Sequence, residues 1–377
     1  MASAEEWRQR GAEAIQELLR REHAVTQPEM EAKLADRLPG PPGPRRVQPH
    51  HLTTARRRMI AAGVLEVTRE KTRGAGRVVT TFSLDGSKRA QRVAGRKRLL
   101  LARFHSWSQY SSDWGNTPPI PAGLERVIQA SLQAAAPYGH RLLRPDGGEV
   151  TTVFNAPVPG GSLDNATFFT GLDQTGLPTA TTLLPIEAKN VRSWIYPQTQ
   201  ELYQVLSKSA RLKQANPRVP VVPVLVCREK HPLTGQMAAQ MGFHVISTWR
   251  QYIRPIVTTY DEDAQDKFDQ VRNELGFILE PHEDAVGAMV DHFTKHLPRR
   301  LDDAAARWST VSAHPDVPDL LQDLRDDELS GSDRHQVMAE LGGAVGDALG
   351  EDVSWAGDPD GPDDPEPDTE WNPDDQV

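Results

Sequence analysis

The sequence predicts an α/β protein: a mixed central sheet flanked by helices, with a smaller helix-and-hairpin domain before it and a helical extension after it. Three observations carry this. Between residues 122 and 250, short apolar runs of strand length sit among amphipathic helix patterns, in the order helix, strand meander, helix, strand, helix, strand. Residues 1–85 read instead as three helices followed by two alternating flanks around a Gly-containing turn. Charge is also partitioned along the 377 residues. Residues 40–103 hold 16 Lys and Arg against 3 Asp and Glu, a net of +13, whereas residues 299–377 hold 5 against 22, a net of −17. A basic block with few interspersed carboxylates is the footprint of a protein that meets a polyanion.

The elements follow in order. Residues 7–21 place Ala14, Ile15, Leu18 and Leu19 at helical spacing. Thr26 and Glu29 form a capping box, with Pro28 in the first turn of a second helix that runs to about Leu38. Pro39 to Pro44 must be loop. A third helix spans about 49–63, and VLEVTRE and RVVTTFSL flank a turn as antiparallel strands. Residues 86–121 read as a linker, basic at first, then aromatic through Phe104, Trp107, Tyr110 and Trp114. Residues 122–260 hold the α/β core. Residues 261–350 are mostly helical. The Asp- and Pro-rich residues 351–377 cannot bury enough surface to offset ordering entropy and are expected to be disordered.

The phrase AAGVLEVTRE…GRVVTTFSL, behind three helices, resembles a winged helix-turn-helix domain over about residues 5–85. That resemblance implies double-stranded DNA as partner, with the third helix in the major groove. Its base-facing candidates are His50, His51, Thr53, Thr54, Arg56 and Arg57, and the wing candidates for phosphate are Lys71, Arg73 and Arg77.

Two phrases put charge at the end of an apolar strand: GGSLDNATFF, with Asp164, and LLPIEAKN, with Glu187 and Lys189. Residues two apart in a strand share a face, so Glu187 and Lys189 project together. If the two strands are neighbours, Asp164 joins them. Two hard carboxylates suit Mg²⁺ or Mn²⁺, the carbonyl of Ala188 adds a ligand, and Lys189 can orient water beside a phosphate. This set resembles the PD-(D/E)XK nuclease superfamily, the restriction-endonuclease-like fold. Asp164 matches its first acid and Glu187-Ala188-Lys189 its E-x-K. The resemblance further implies Glu125 as an extra metal ligand and Gln198 and Gln200 as functional glutamines. Leu163 stands where many relatives carry proline, and Asp173 in the long 171–181 loop is a weaker rival for Asp164. A second triplet, Glu31-Ala32-Lys33, lies in a helical pattern without a partner Asp and reads as a surface salt-bridge pattern.

Other chemistries lack their residues. No P-loop, G-x-S-x-G or H-E-x-x-H motif occurs, and His292 and His296 have no Cys partners. The single Cys227, in an apolar run, reads as a buried small hydrophobe and fits a reducing cytoplasm. No signal peptide or membrane span is expected. The sequence therefore points to a metal-dependent DNA endonuclease of restriction or defence type. A homodimer would supply the two sites a double-strand break needs. The competing readings are a winged-helix transcription regulator whose second domain binds a ligand or partner, and a repair or recombination nuclease that reads DNA structure.

Overall fold

The computed structural model describes residues 3–36, 46–71, 78–109, 118–143, 148–172, 175–254, 264–282, 286–353 and 355–356. The chain begins with α1 (Ala4–Glu22), β1 (Val25–Thr26), α2 (Gln27–Leu34), α3 (Pro49–Ala61), β2 (Glu66–Lys71), β3 (Val78–Ser83) and α4 (Lys88–Ser106). There follow α5 (Pro119–Ala134), β4 (His140–Leu142), a short hairpin of β5 (Thr152–Val153) and β6 (Ala156–Pro157), β7 (Asn165–Phe169), β8 (Thr182–Lys189) and α6 (Gln200–Ala215). Then come β9 (Val224–Cys227), α7 (Pro232–Met241), β10 (His244–Ser247), β11 (Gln251–Ile253) and α8 (Ala264–Leu275). The last helices are α9 (Val286–Asp291), α10 (Leu301–Ser312), α11 (Val317–Asp323) and α12 (Gly331–Leu349).

Two compact units divide the chain between Pro119 and Ile120, and α8 belongs to the first of them. This corrects two expectations. The 86–121 segment is not a linker throughout, because α4 packs on β1, β3 and α8. Its aromatics pin it there: Phe104 meets Phe277 edge to face at 4.7 Å and Trp107 lies 6.1 Å from Phe268. Nor is the 261–350 extension one piece, since its first helix joins the first unit and the rest the second. Tyr110, Trp114 and residues 357–377 lie outside the described residues.

In the first unit, β1, β3 and β2 form an antiparallel sheet in that order, and α1 packs on α3. The Thr26–Glu29 capping box forms as the sequence predicts. The second helix ends at Leu34, short of the expected Leu38. Glu29 is fully buried and does more than cap. Its Oε1 accepts from Lys33 Nζ at 2.6 Å and Lys97 Nζ at 2.5 Å, and both ammoniums also reach Glu22 and the carbonyl of Glu274. Lys33 is thus part of a buried network joining α1, α2, α4 and α8 and not of a surface ion pair. Its partner is Glu29, one turn back, so the Glu31-Ala32-Lys33 spacing is incidental to it.

The second unit is built on a five-stranded mixed sheet, ordered β10-β9-β8-β7-β4. β8, β9 and β10 run parallel, and β7 and β4 are antiparallel to their neighbours. Apolar side chains on both faces require cover on both. One face carries Leu183, Leu225 and Cys227 under α6, α7, α10, α11 and α12; the other carries Leu184, Ile186, Val224 and Val226 under α5 and α9. Asn190, just past β8, donates to the carbonyls of Ile120 and Tyr252, at 2.5 and 2.6 Å, and accepts from the Tyr252 amide. It thereby ties the start of α5 to β8 and β11. Gly123 is required at that junction, because a Cβ there would lie 2.4 Å from the Tyr252 carbonyl oxygen. Among the described residues no helix is long and apolar enough to cross a membrane.

Candidate active site

Asn165 pairs with Ile186, so the antiparallel register carried one step further sets Asp164 opposite Glu187. Directly opposite side chains share a face. The Ala188 amide donates to Asp164 Oδ2 at 2.6 Å, which fixes the carboxylate across the end of the ladder. Glu187 is buried on the sheet face that α6 covers, while Ala188 turns to the other layer. Lys189 Nζ lies 3.5 Å from Glu187 Oε2 and donates to Gln204 Oε1 at 2.6 Å. The strand therefore brings Asp164, Glu187 and Lys189 together.

The helix over this face supplies two residues that sequence reasoning missed. Lys208, also buried, donates to Glu187 Oε1 at 2.5 Å and to the Ser162 carbonyl. Gln204 receives Lys189. The signal was present: Gln200, Gln204 and Lys208 repeat every fourth residue, one stripe of a helix. A lysine within the buried run Leu202–Ala210 is also a residue that needs a partner. Of the two glutamines expected to act, Gln200 is committed elsewhere, donating to the Arg325 carbonyl at 2.7 Å. Gln198 lies half-buried before the helix. The helix thus offers Gln204 to Lys189 where Gln200 was expected.

The electrostatics leave this cluster short of positive charge. Burial first, then the charge of Glu187, pushes Asp164 up to about 8, against the pull of Lys189 and the Ala188 amide. Glu125 on α5 is raised as well, by burial, then by Glu149 and Glu187, with Lys189 opposing. Glu125 therefore shares the field of the same site. Two carboxylates forced up in a buried place mark a site that an added cation would stabilise. The donor set fits a hard divalent ion: Asp164, Glu187 and the Ala188 carbonyl would hold it, with Glu125 in reserve. Among the described residues no three His, Cys, Asp or Glu side chains converge closely enough to hold a metal by themselves. A backbone carbonyl and water would have to complete the shell. Asp173 lies outside the described residues.

Other titratable residues have structural tasks. Cys227 is fully enclosed and burial pushes its thiol up to about 12, so it is a core residue as expected. His292 and His296 lie with ring centroids 5.3 Å apart and planes tilted by 50° in the turn after α9, and burial holds His292 below the usual range.

In the first unit, α3 keeps His50, His51, Thr53, Thr54 and Arg57 at partly accessible positions. His51 lies parallel to Trp7, with ring centroids 6.3 Å apart. Arg56 corrects the expectation. It is buried with its guanidinium 5.0 Å above the Phe82 ring, a cation–π contact that ties α3 to β3 and removes it from any base-reading set. Lys71 is exposed at the end of β2, and Arg73 and Arg77 lie outside the described residues. Comparison with family models, curated proteins and solved structures returns no match for this chain.

Proposed function

We propose that this protein is a divalent-metal-dependent DNA endonuclease, with a restriction-endonuclease-like second unit and a winged-helix first unit. The single observation that carries the reading is the pairing of Asp164 with Glu187 across adjacent strand ends, beside Lys189, with Asp164 held near 8 by burial first and then by the charge of Glu187. The order of strands and helices around that pair supports the same reading, as does the β1-β3-β2 sheet behind three helices in the first unit.

A bound Mg²⁺ or Mn²⁺ would supply Lewis acidity and a more acidic water. The rest belongs to the chain. Asp164 and Glu187 provide hard oxygen ligands, and the Ala188 amide keeps Asp164 aimed at the strand end. Lys189, steadied by Gln204, places an ammonium where it can orient a nucleophilic water and share the charge of the phosphate. Lys208 holds one oxygen of Glu187 and leaves the other facing Lys189. Duplex DNA is the substrate class that the +13 block favours.

A second reading has one observation in its favour. Glu187 already has an ammonium on each side, as in a domain that has given up cleavage and regulates transcription instead. Supercoiled plasmid separates the two. The nuclease reading expects nicked or linear DNA with Mg²⁺, none with EDTA, and none from Glu187→Gln at equal protein. Intact plasmid over a range of Mg²⁺ and Mn²⁺ concentrations would leave the regulator reading standing.

A further inference from the structure

The helices after residue 280 reach the site through Arg325, which follows α11. Its carbonyl is fixed by Gln200 Nε2 on α6. Its guanidinium donates to the Gly160 carbonyl at 3.1 Å and to Gln322 Oε1 at 3.3 Å, and Ser207 holds the same Gln322 oxygen at 3.0 Å. Lys208 flanks the same turn and donates to the Ser162 carbonyl while holding Glu187. Residue 160 must be glycine for this approach. Its φ is +79°, and a Cβ would lie 2.8 Å from Arg325 Nη1. The turn 160–162, which leads straight into Asp164, is therefore gripped by two cations.

Both acceptors of the Arg325 guanidinium are neutral, and among the described residues it makes no carboxylate ion pair. Guanidinium has five donors, and two are used. The side chain is half-buried and within the field of Glu187 without bonding to it. A planar fork with donors to spare, beside a carboxylate centre it does not neutralise, is suited to a phosphate. We propose that Arg325 is a phosphate-binding residue of this site, holding a backbone phosphate of the DNA strand next to the one attacked. The helical segment after residue 280 is then part of the substrate site and not an appendage.

This inference rests on the nuclease reading, and the test separates the two. Full-length wild type, Arg325→Gln and Arg325→Lys are titrated with a fluorescein-labelled 20-mer duplex in Ca²⁺ across a salt series. Plasmid cleavage in Mg²⁺ and thermal unfolding are measured alongside. Arg325→Gln is expected to weaken binding roughly tenfold or more and to flatten the salt slope by roughly 0.9. It should raise KM more than it lowers kcat. Arg325→Lys should keep the slope and recover part of the affinity. Should the Gln variant fold poorly, phenylglyoxal labelling of wild type reads the same contact, and duplex DNA should protect Arg325. Unchanged affinity and slope, a fall in Tm and affinity at constant slope, or undiminished labelling under DNA each overturns the proposal while the nuclease reading stands. Wild type that neither binds nor cuts DNA removes both.

Discussion

In the first unit, Glu29 is fully buried and accepts from Lys33 and Lys97; in the second, Glu187 is buried and lies between Lys208 and Lys189. Each lysine pair meets a different balance of charge. Among the described residues the other carboxylate in the Glu29 network is Glu22, which the two ammoniums hold below its usual range despite burial. Two negative charges meet two positive ones, and a backbone carbonyl takes spare donors. Around Glu187 the lysines must also answer Asp164 and Glu125, and both carboxyls are driven up. A neutralised network tolerates burial and serves to join helices. A site that buries further carboxyls beside its lysines holds them up, Asp164 near 8, and an added cation would favour their ionised form.

The largest expected effects break the comparison at its chemistry. Asp164→Asn and Glu187→Gln should each slow Mg²⁺-dependent plasmid nicking by at least about 10²–10³-fold. Lys33→Met, in the other E-A-K triplet, should leave nicking per folded molecule unchanged. Initial rates normalised to the folded fraction check this, and wild-type rates from Glu187→Gln would remove the assignment.

Next comes stability. Glu29→Ala leaves the buried Lys97 and the half-buried Lys33 with Glu22 and the Glu274 carbonyl alone and should cost about 3–5 kcal/mol, read from urea unfolding of the first unit's tryptophans. A loss below about 1 kcal/mol, the range of exposed pairs, would show that the network is not a structural joint.

Asp164 sharpens the contrast through pH. Its carboxyl is raised in the folded chain, so the fold retains a proton that the unfolded chain releases near pH 3.9. The cost of ionising it grows as pH rises above that value and is complete above about 8. Metal-free Asp164→Asn should therefore match wild type at pH 4 and exceed it at pH 9 by on the order of 1–2 kcal/mol. Saturating Mg²⁺ should remove the gain. An Asn variant less stable than wild type at pH 9 in EDTA would contradict the charge imbalance.

The smallest effect concerns binding by the first unit. Arg57→Ala with Lys71→Ala should flatten the salt dependence of duplex affinity by roughly 0.9 per lost phosphate contact. Arg56→Ala should act instead through stability, since that side chain sits on Phe82. An unchanged slope in the double variant would take DNA reading away from this unit.

What the sequence disclosed, and what it hid, follows the range of the interactions. The Thr26–Glu29 cap and the strand-borne Glu187-Ala188-Lys189 are local patterns and were legible. Setting Asp164 against Glu187 needed only the strand period and a neighbour relation, which the β7–β8 register supplies. Lys208 has a readable stripe with Gln200 and Gln204, but nothing local names Glu187 as its partner, and the partner of Arg325 lies 165 residues away in sequence. Arg56 was misjudged for the same reason: a cation in a basic run looks solvated until the ring it covers is known. The return of α8 to the first unit had no composition shift to announce it.

That return bears on how the protein is made. Lys33 and Lys97 both donate to the carbonyl of Glu274, which lies at the end of α8. On a ribosome adding roughly 5–20 residues per second, every strand of the five-stranded sheet emerges before that carbonyl does. The amino-terminal unit therefore waits roughly seven to thirty seconds for its last hydrogen-bond acceptor, while the sheet of its neighbour is already complete in sequence and the helices after residue 280 are still to come. An expression boundary drawn after Pro119 would yield a fragment permanently held at that waiting stage, with two inward-facing ammoniums short of a partner.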